Sequence, residues 1–198
     1  MPRRLFVALE PTEPVRRRIA AAAERIRRAA GGAADLVRWV AEENVHLTVQ
    51  FLGAVPEERV EAVGEALTAA AAGSRPILLE VKGAGGFPNS RRPRVVWLGL
   101  SGELSVLTEL ASDLGRRLAP LGFPPESRPF AAHLTLGRAR DARGAPGLGG
   151  ALAAAAQDEG VSWRACELVL FESHLSPRGP RYEPVRRASL GPGQNTPA

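Results

Sequence analysis

Two histidines of this chain stand in nearly the same four-residue word. His46-Leu47-Thr48-Val49 and His133-Leu134-Thr135-Leu136 take up two of only three histidines in 198 residues. In an extended segment successive side chains point to opposite faces. Each histidine therefore shares a face with the threonine two positions on, and the aliphatic residues between and after them point into a core. If the two segments face one another, two imidazoles and two hydroxyls surround one cleft. Imidazole titrates near pH 6.5, so at neutral pH one ring can take a proton from water while another gives one to a leaving oxygen. Threonine hydroxyls can hydrogen-bond the non-bridging oxygens of a phosphate and stabilise the charge that develops there. That is a phosphodiester chemistry, and it needs no metal. Nothing in the residues says which imidazole is the acid and which the base.

A single His-Leu-Thr in a strand more often means a satisfied histidine beside a β-favouring threonine. Its repetition, with so few histidines present, favours the cleft. The third histidine, His174, has no threonine two residues on and reads as structural or surface. Three histidines without short ligand spacing make a poor zinc site. The single cysteine, Cys166, rules out an internal disulfide and reads as a packed strand residue.

The elements that must position the tetrads follow from periodicity. Residues 3–10 read as a strand. Residues 12–30 read as an amphipathic helix, with Pro14 in its first turn, Val15, Ile19, Ala22 and Ile26 on its apolar face, and Gly31-Gly32 at its end. Short strands are expected over 36–40 and 44–53, then a helix over 56–73 opened by proline and acidic residues and stopped by Gly73. Strands over 75–87 and 94–100 flank a Gly/Pro/Asn turn region, residues 83–94. A third helix is expected over 101–122, the second-tetrad strand over 130–140, a flexible connection over 141–150 and a short helix after it. Residues 162–176 read as one long strand, and 178–190 as the last. This is α+β, with antiparallel or mixed sheets. It contains no glycine-rich phosphate loop of either common type.

The composition bounds the setting. At 44% hydrophobic the chain can build one core or two lobes sharing one. No apolar run is long enough to span a bilayer, and the N-terminal apolar segment is too short for a secretory signal, so a cytoplasmic location is expected. The net charge of +5 suits a polyanion such as RNA, but lysine occurs once and arginine supplies the rest, a pattern that composition bias alone would also produce.

With these residues in view, the chain resembles the two-histidine phosphoesterase superfamily, and within it the RNA 2′,3′-cyclic phosphodiesterases, also called 2′-5′ RNA ligases. "RLFVALEP", "VRWVAEENVHLTVQFLG", "SRPFAAHLTLGRAR" and "LVLFESHLSPRGPRYEPV" resemble the family's blocks in order, over most of residues 3–187. The resemblance implies a bilobal α+β fold: two pseudo-symmetric lobes of antiparallel or mixed sheet, helices outside, and a central cleft to which each lobe gives one tetrad. It implies a duplicated catalytic domain over residues 1–190 and a flexible tail over 191–198. It implies opening of a terminal RNA 2′,3′-cyclic phosphate to a 2′-phosphate, without cofactor or metal, with weak 2′-5′ ligation as the reverse. His46 would be the proton donor, His133 the proton acceptor, and Thr48 and Thr135 would hold the phosphate. Phe51 would stack on a base and Arg138 would contact the phosphate or nucleotide. The partners would be RNA ends or nucleotides bearing a 2′,3′-cyclic phosphate, with no membrane, and the protein a monomer.

Strand parity opposes two of these roles. Phe51 and Arg138 lie five positions after their histidines, on the opposite face, unless each strand ends, twists or bulges after its threonine. Read alone, Phe51 is equally an ordinary core aromatic, whereas an arginine in a buried strand needs an anionic partner. Gln50 stands where the family often has a basic residue, so an RNA contact is missing there, and Ala131-Ala132 replaces a common proline. Two other readings stand beside the leading one: the same chemistry on a cyclic mononucleotide or an ADP-ribose cyclic phosphate, and an RNA- or nucleotide-binding module without turnover.

Overall fold

The structure is a computed structural model, and it describes residues 1–125, 129–176 and 179–191. The expected tail beyond Gly191 lies outside the described residues. Among the described residues nine strands and four α-helices follow in the order β1 (Arg3–Leu9), α1 (Glu13–Ala30), β2 (Val37–Trp39), β3 (Leu47–Val55), α2 (Glu57–Ala72), β4 (Ile77–Phe87), β5 (Val95–Gly102), α3 (Leu104–Leu118), β6 (His133–Ala139), α4 (Gly149–Ala155), β7 (Val161–Ala165), β8 (Glu167–Ser176) and β9 (Gly179–Ser189). The fold is α+β, with every strand pairing antiparallel.

The strands form two sheets. The first has the order β3-β1-β8-β9 and the second β2-β6-β5-β4-β7. Setting β2 aside, each sheet has its tetrad strand at one side and three strands beyond it, which gives the two lobes their pseudo-symmetry. Helices α2 and α3 pack on the first sheet, and α1 and α4 on the second. The lobes therefore exchange elements: α1 and β2, from the first half of the chain, belong to the second sheet, and β8 and β9 complete the first.

Alternation along the strands builds two unlike faces. On the first sheet Leu5, Val7, Leu9, Leu168 and Leu170 point toward the helices and the main core. Phe6, Ala8, Val169 and Phe171 point the other way and form a small separate apolar cluster with Tyr182. Helix α1 buries Val15, Ile19, Ala22 and Ile26, the four residues its periodicity singles out.

One expected element is divided. Residues 162–176 form not one strand but two, in different sheets: β7 pairs with β4, and β8 with β1. The chain crosses between lobes at Cys166, whose carbonyl accepts the backbone N–H of Leu190 at 2.8 Å. No glycine or proline marks the crossing; its trace is a slip in the alternation, with Trp163 and Ala165 buried, Cys166 and Glu167 both exposed, and Leu168 and Leu170 buried on the shifted parity. Cys166 is correspondingly exposed, not packed.

Gly137 of β6 is required by the short edge strand β2. A Cβ there would overlap Cγ1 of Val37 and approach the carbonyl oxygen of Arg38 to 3.1 Å. Gly137→Ala should destabilise the protein by about 1–3 kcal/mol through this overpacking. Denaturant unfolding measures it, and a variant as stable as the parent would show that β2 does not pack on β6 as described.

Candidate functional site

His46 sits immediately before β3, after a 3-10 turn at Glu42–Asn44, and His133 is the first residue of β6. The two rings are held in the same way. His46 Nδ1 lies 2.7 Å from the carbonyl oxygen of Asn44, and His133 Nδ1 lies 2.7 Å from that of Ala131, in each case two residues back. A carbonyl only accepts, so each Nδ1 carries the proton and each Nε2 is left for proton exchange. The Asn44 side chain donates in turn to the carbonyl of Pro180 at 2.9 Å, which ties the His46 support to β9.

Bulges settle the parity question. Along β1 and β3, Ala8 pairs with Thr48, Val7 with Gln50 and Phe6 with Phe51, with a register shift between Val7 and Ala8. Val49 is the extra residue. Because Ala8 and Phe6 share a face, Thr48 and Phe51 share it too. Along β5 and β6, Trp97 pairs with Thr135, Val96 with Gly137 and Val95 with Arg138, with a shift between Val96 and Trp97. Leu136 is the extra residue. Trp97 and Val95 share a face, so Thr135 and Arg138 do as well. Each bulge falls three residues after its histidine, at equivalent places in the two lobes.

All six expected site residues thus lie on the cleft faces of the two sheets, and Cα atoms of β3 and β6 come within 8 Å of one another. Phe51 is 52% exposed, which excludes a core role. Gln50 is placed otherwise than expected. The Val49 bulge turns it to the helix side, where it is 5% exposed and its amide donates to the carbonyl of Phe123 at 3.1 Å. No RNA contact is missing there, because that position does not face the cleft. His174 lies on the far side of its sheet beside Glu183 at 3.4 Å, consistent with a structural or surface role.

Aromatic residues wall both imidazoles. The Phe6 ring is 4.8 Å from His46, and Tyr182 meets His46 edge-on at 5.1 Å. Phe87 meets His133 edge-on at 5.1 Å and leans on Trp97 at 5.3 Å. Tyr182, Phe87 and Trp97 escape the sequence reading because only register brings them to the histidines. A hollow of about 320 Å³ between α1 and β4 lies behind the second sheet, contains no histidine, and is separate from the cleft.

Burial lowers the pKa of His46 below its ordinary value. The Asn44 carbonyl and Glu10 oppose the shift, and the positive charges of Arg138 and His133 reinforce it. Burial therefore biases His46 toward the neutral form. Burial also raises the Tyr182 phenol, which stays protonated at neutral pH. In an NMR titration of the free protein, His46 should titrate below about 6.5, and an inorganic phosphate ion in the cleft should move its midpoint upward. A midpoint above 6.5 in the free protein would contradict the described burial.

The chain matches the family described as "LigT like Phosphoesterase" twice, over residues 9–97 and 98–182. It is 35% identical to an RNA 2′,3′-cyclic phosphodiesterase of Aeropyrum pernix over 158 residues, covering 78% of this chain and 89% of that one. It is 32% identical to an RNA 2′,3′-cyclic phosphodiesterase of Archaeoglobus fulgidus, covering 92% and 98%. Among solved structures it resembles TT0787 of Thermus thermophilus, with a TM-score of 0.78 at 27% identity over 96% of this chain and 99% of that one. It also resembles Escherichia coli LigT complexed with 3′-AMP, with a TM-score of 0.69 at 30% identity over the same shares, 96% and 99%. LigT has also been crystallised with ATP and with NADP+. With two matches that together span most of its length, and with its fold shared across the full extent of solved members, the chain belongs to the LigT-like phosphoesterase family.

Proposed function

We propose that this protein hydrolyses terminal 2′,3′-cyclic phosphates on RNA to 2′-phosphates by metal-independent acid–base catalysis with its two histidines. The observation that carries this reading is the paired arrangement of the imidazoles, each with Nδ1 donating to its own chain at 2.7 Å and each leaving Nε2 for chemistry. The names of the relatives support the substrate class, and the nucleotides found on LigT support a cleft suited to nucleotides. The double family match supports descent of the two halves from one duplicated unit, so that residues 1–190 work as one bilobal catalytic domain. The setting we assign is a monomer in the cytoplasm. Among the described residues, no helix is long and apolar enough to cross a membrane.

In the reaction the cyclic phosphate lies between the rings. Nε2 of His133 takes a proton from water as the water oxygen bonds to phosphorus. The bond from phosphorus to O3′ breaks, and the protonated Nε2 of His46 gives its proton to that oxygen. The products are a 2′-phosphate and a free 3′-hydroxyl. Thr48 and Thr135 donate hydrogen bonds to the non-bridging oxygens, which carry the growing charge. Arg138 adds a positive charge on the same face as Thr135. Phe51 offers its exposed ring to a base.

The lowered pKa of His46 fits a donor only when substrate is present. The anionic phosphate brought against the ring favours imidazolium and counters the burial. Binding thus charges the acid it needs. A 5′-hydroxyl of a second RNA in place of water would give a 2′-5′ link, and water in an open cleft outcompetes it, so ligation is the minor reaction.

An RNA ending in a 2′,3′-cyclic phosphate, incubated with EDTA, should yield a 2′-phosphate. His46→Ala and His133→Ala should each lower the rate at least about a hundredfold while leaving the fold intact by circular dichroism. Near-normal turnover in either variant, or a 3′-phosphate product, would overturn the assignment. Turnover confined to cyclic mononucleotides would move the reading to small nucleotides, and tight RNA binding without turnover would move it to a binding module.

A further inference from the structure

One row of the second sheet carries more charge and more exposed aromatic surface than hydrolysis requires. Across four strands, Arg38 of β2 pairs with Arg138 of β6, Arg138 with Val95 of β5, and Val95 with Phe87 of β4. Paired residues share a face, and the Leu136 bulge has turned this row to the same side as Thr135. The row therefore runs across the cleft face as arginine, arginine, valine, phenylalanine. It lies one step beyond the row of Thr135, about 7 Å along the strands.

The two arginines are directly opposed like charges, an arrangement that destabilises a strand pair. Arg38 and Arg138 are both exposed, and among the described residues neither forms an ion pair or a side-chain hydrogen bond. Most other arginines among the described residues are paired with an acid or a carbonyl, Arg3 with Glu172 and Arg187 with Glu10 among them. Two adjacent unpaired guanidinium groups on a cleft face suit a bridging anion, and a phosphate can accept from both. At the other end of the row the Phe87 ring is 37% exposed and rests against Trp97, which lies over Gly85 so closely that a Cβ there would meet the indole at 2.5 Å. A supported, exposed ring is a stacking surface for a base.

We propose that Arg38, Arg138 and Phe87 form a subsite for the nucleotide adjoining the one that bears the cyclic phosphate, the arginine pair holding the phosphodiester between them and Phe87 stacking the second base. This rests on the functional reading above and narrows it: the preferred substrate is an oligonucleotide end, not a cyclic mononucleotide. Phe51 and Phe87 then supply one base platform on each lobe. Arg38 touches the substrate only through this subsite and takes no part in proton transfer.

Equilibrium binding tests the subsite without relying on turnover. The probes are a trinucleotide RNA ending in a 2′-phosphate and the matching nucleoside 2′-monophosphate. The parent protein should bind the trinucleotide at least about tenfold more tightly than the mononucleotide. Arg38→Ala should cut that ratio severalfold and lower the salt slope for the trinucleotide by about one. Arg38→Lys should restore part of it, and Phe87→Ala should cut the ratio while leaving the salt slope. Equal affinity for both probes in the parent, or variants that weaken both probes by the same factor, would overturn the proposal. Hydrolysis of a trinucleotide RNA ending in a 2′,3′-cyclic phosphate is measured alongside. Its absence with the binding preference intact would remove the catalytic reading and leave the subsite standing, whereas its presence with no binding preference would do the reverse.

Discussion

The site depends on one extra residue in each of two strands. A regular strand that presents a histidine and a threonine to the cleft must hide the residue five positions after the histidine. Val49 and Leu136 break that rule by standing unpaired against β1 and β5, and each break returns the fifth residue to the cleft. Without the bulge Phe51 would sit in the core with Gln50 facing the cleft, and Arg138 would be a buried cation without a partner. The bulges also explain why both tetrads continue with an apolar residue: Val49 and Leu136 are buried, and their burial holds the bulged geometry.

The rest of the structure supplies rigidity to these two strands. Leu47 and Leu134, between histidine and threonine in each tetrad, are fully buried, so neither tetrad can rotate without exposing apolar surface. The exchanged elements matter here. α1 follows β1 in the chain yet packs on the opposite lobe, and β2 pairs with β6 although it leads directly to His46. The strand of His133 is therefore flanked by β2 from the first half of the chain, and β1, the partner of the strand of His46, is flanked by β8 from the second. The shared carbonyl hold on both Nδ1 atoms gives the two rings the same tautomer, and only their surroundings differ. His46 is enclosed by Phe6 and Tyr182, which places the burial penalty on that ring.

Much of this was legible in the residues. The apolar face of α1 could be named residue by residue because helical periodicity is long and unbroken there. The repeated tetrad pointed to two opposed imidazoles because the spacing of two in a strand is unambiguous. What was not legible is register. A bulge leaves no mark in a single sequence, so Phe51 and Arg138 rested on resemblance until the pairing partners of Phe6 and Val95 were known. Register also brought in Phe87 and Tyr182, which lie far from the tetrads along the chain, and Arg38, which precedes the first tetrad but pairs with the strand of the second. The crossing at Cys166 was hidden for a related reason. No turn residue stands there, and the one-residue slip in alternation at Cys166-Glu167 is too small a mark to show that the pairing strand changes. Gln50 shows the same limit from the other side, since its polarity suggests a surface and the bulge buries it against the carbonyl of Phe123.

The central claim is that two equivalent imidazoles, held by equivalent backbone carbonyls, act as an unlike pair. The most direct measurement is the pH dependence of kcat/KM on an RNA 2′,3′-cyclic phosphate for the parent protein and for the residual activity of each histidine variant. A bell-shaped profile is predicted for the parent. Loss of His133, the base, should remove the acidic limb alone, and loss of His46, the acid, should remove the alkaline limb alone. A bell that survives intact in both variants would show that neither limb belongs to these histidines, and would contradict the account.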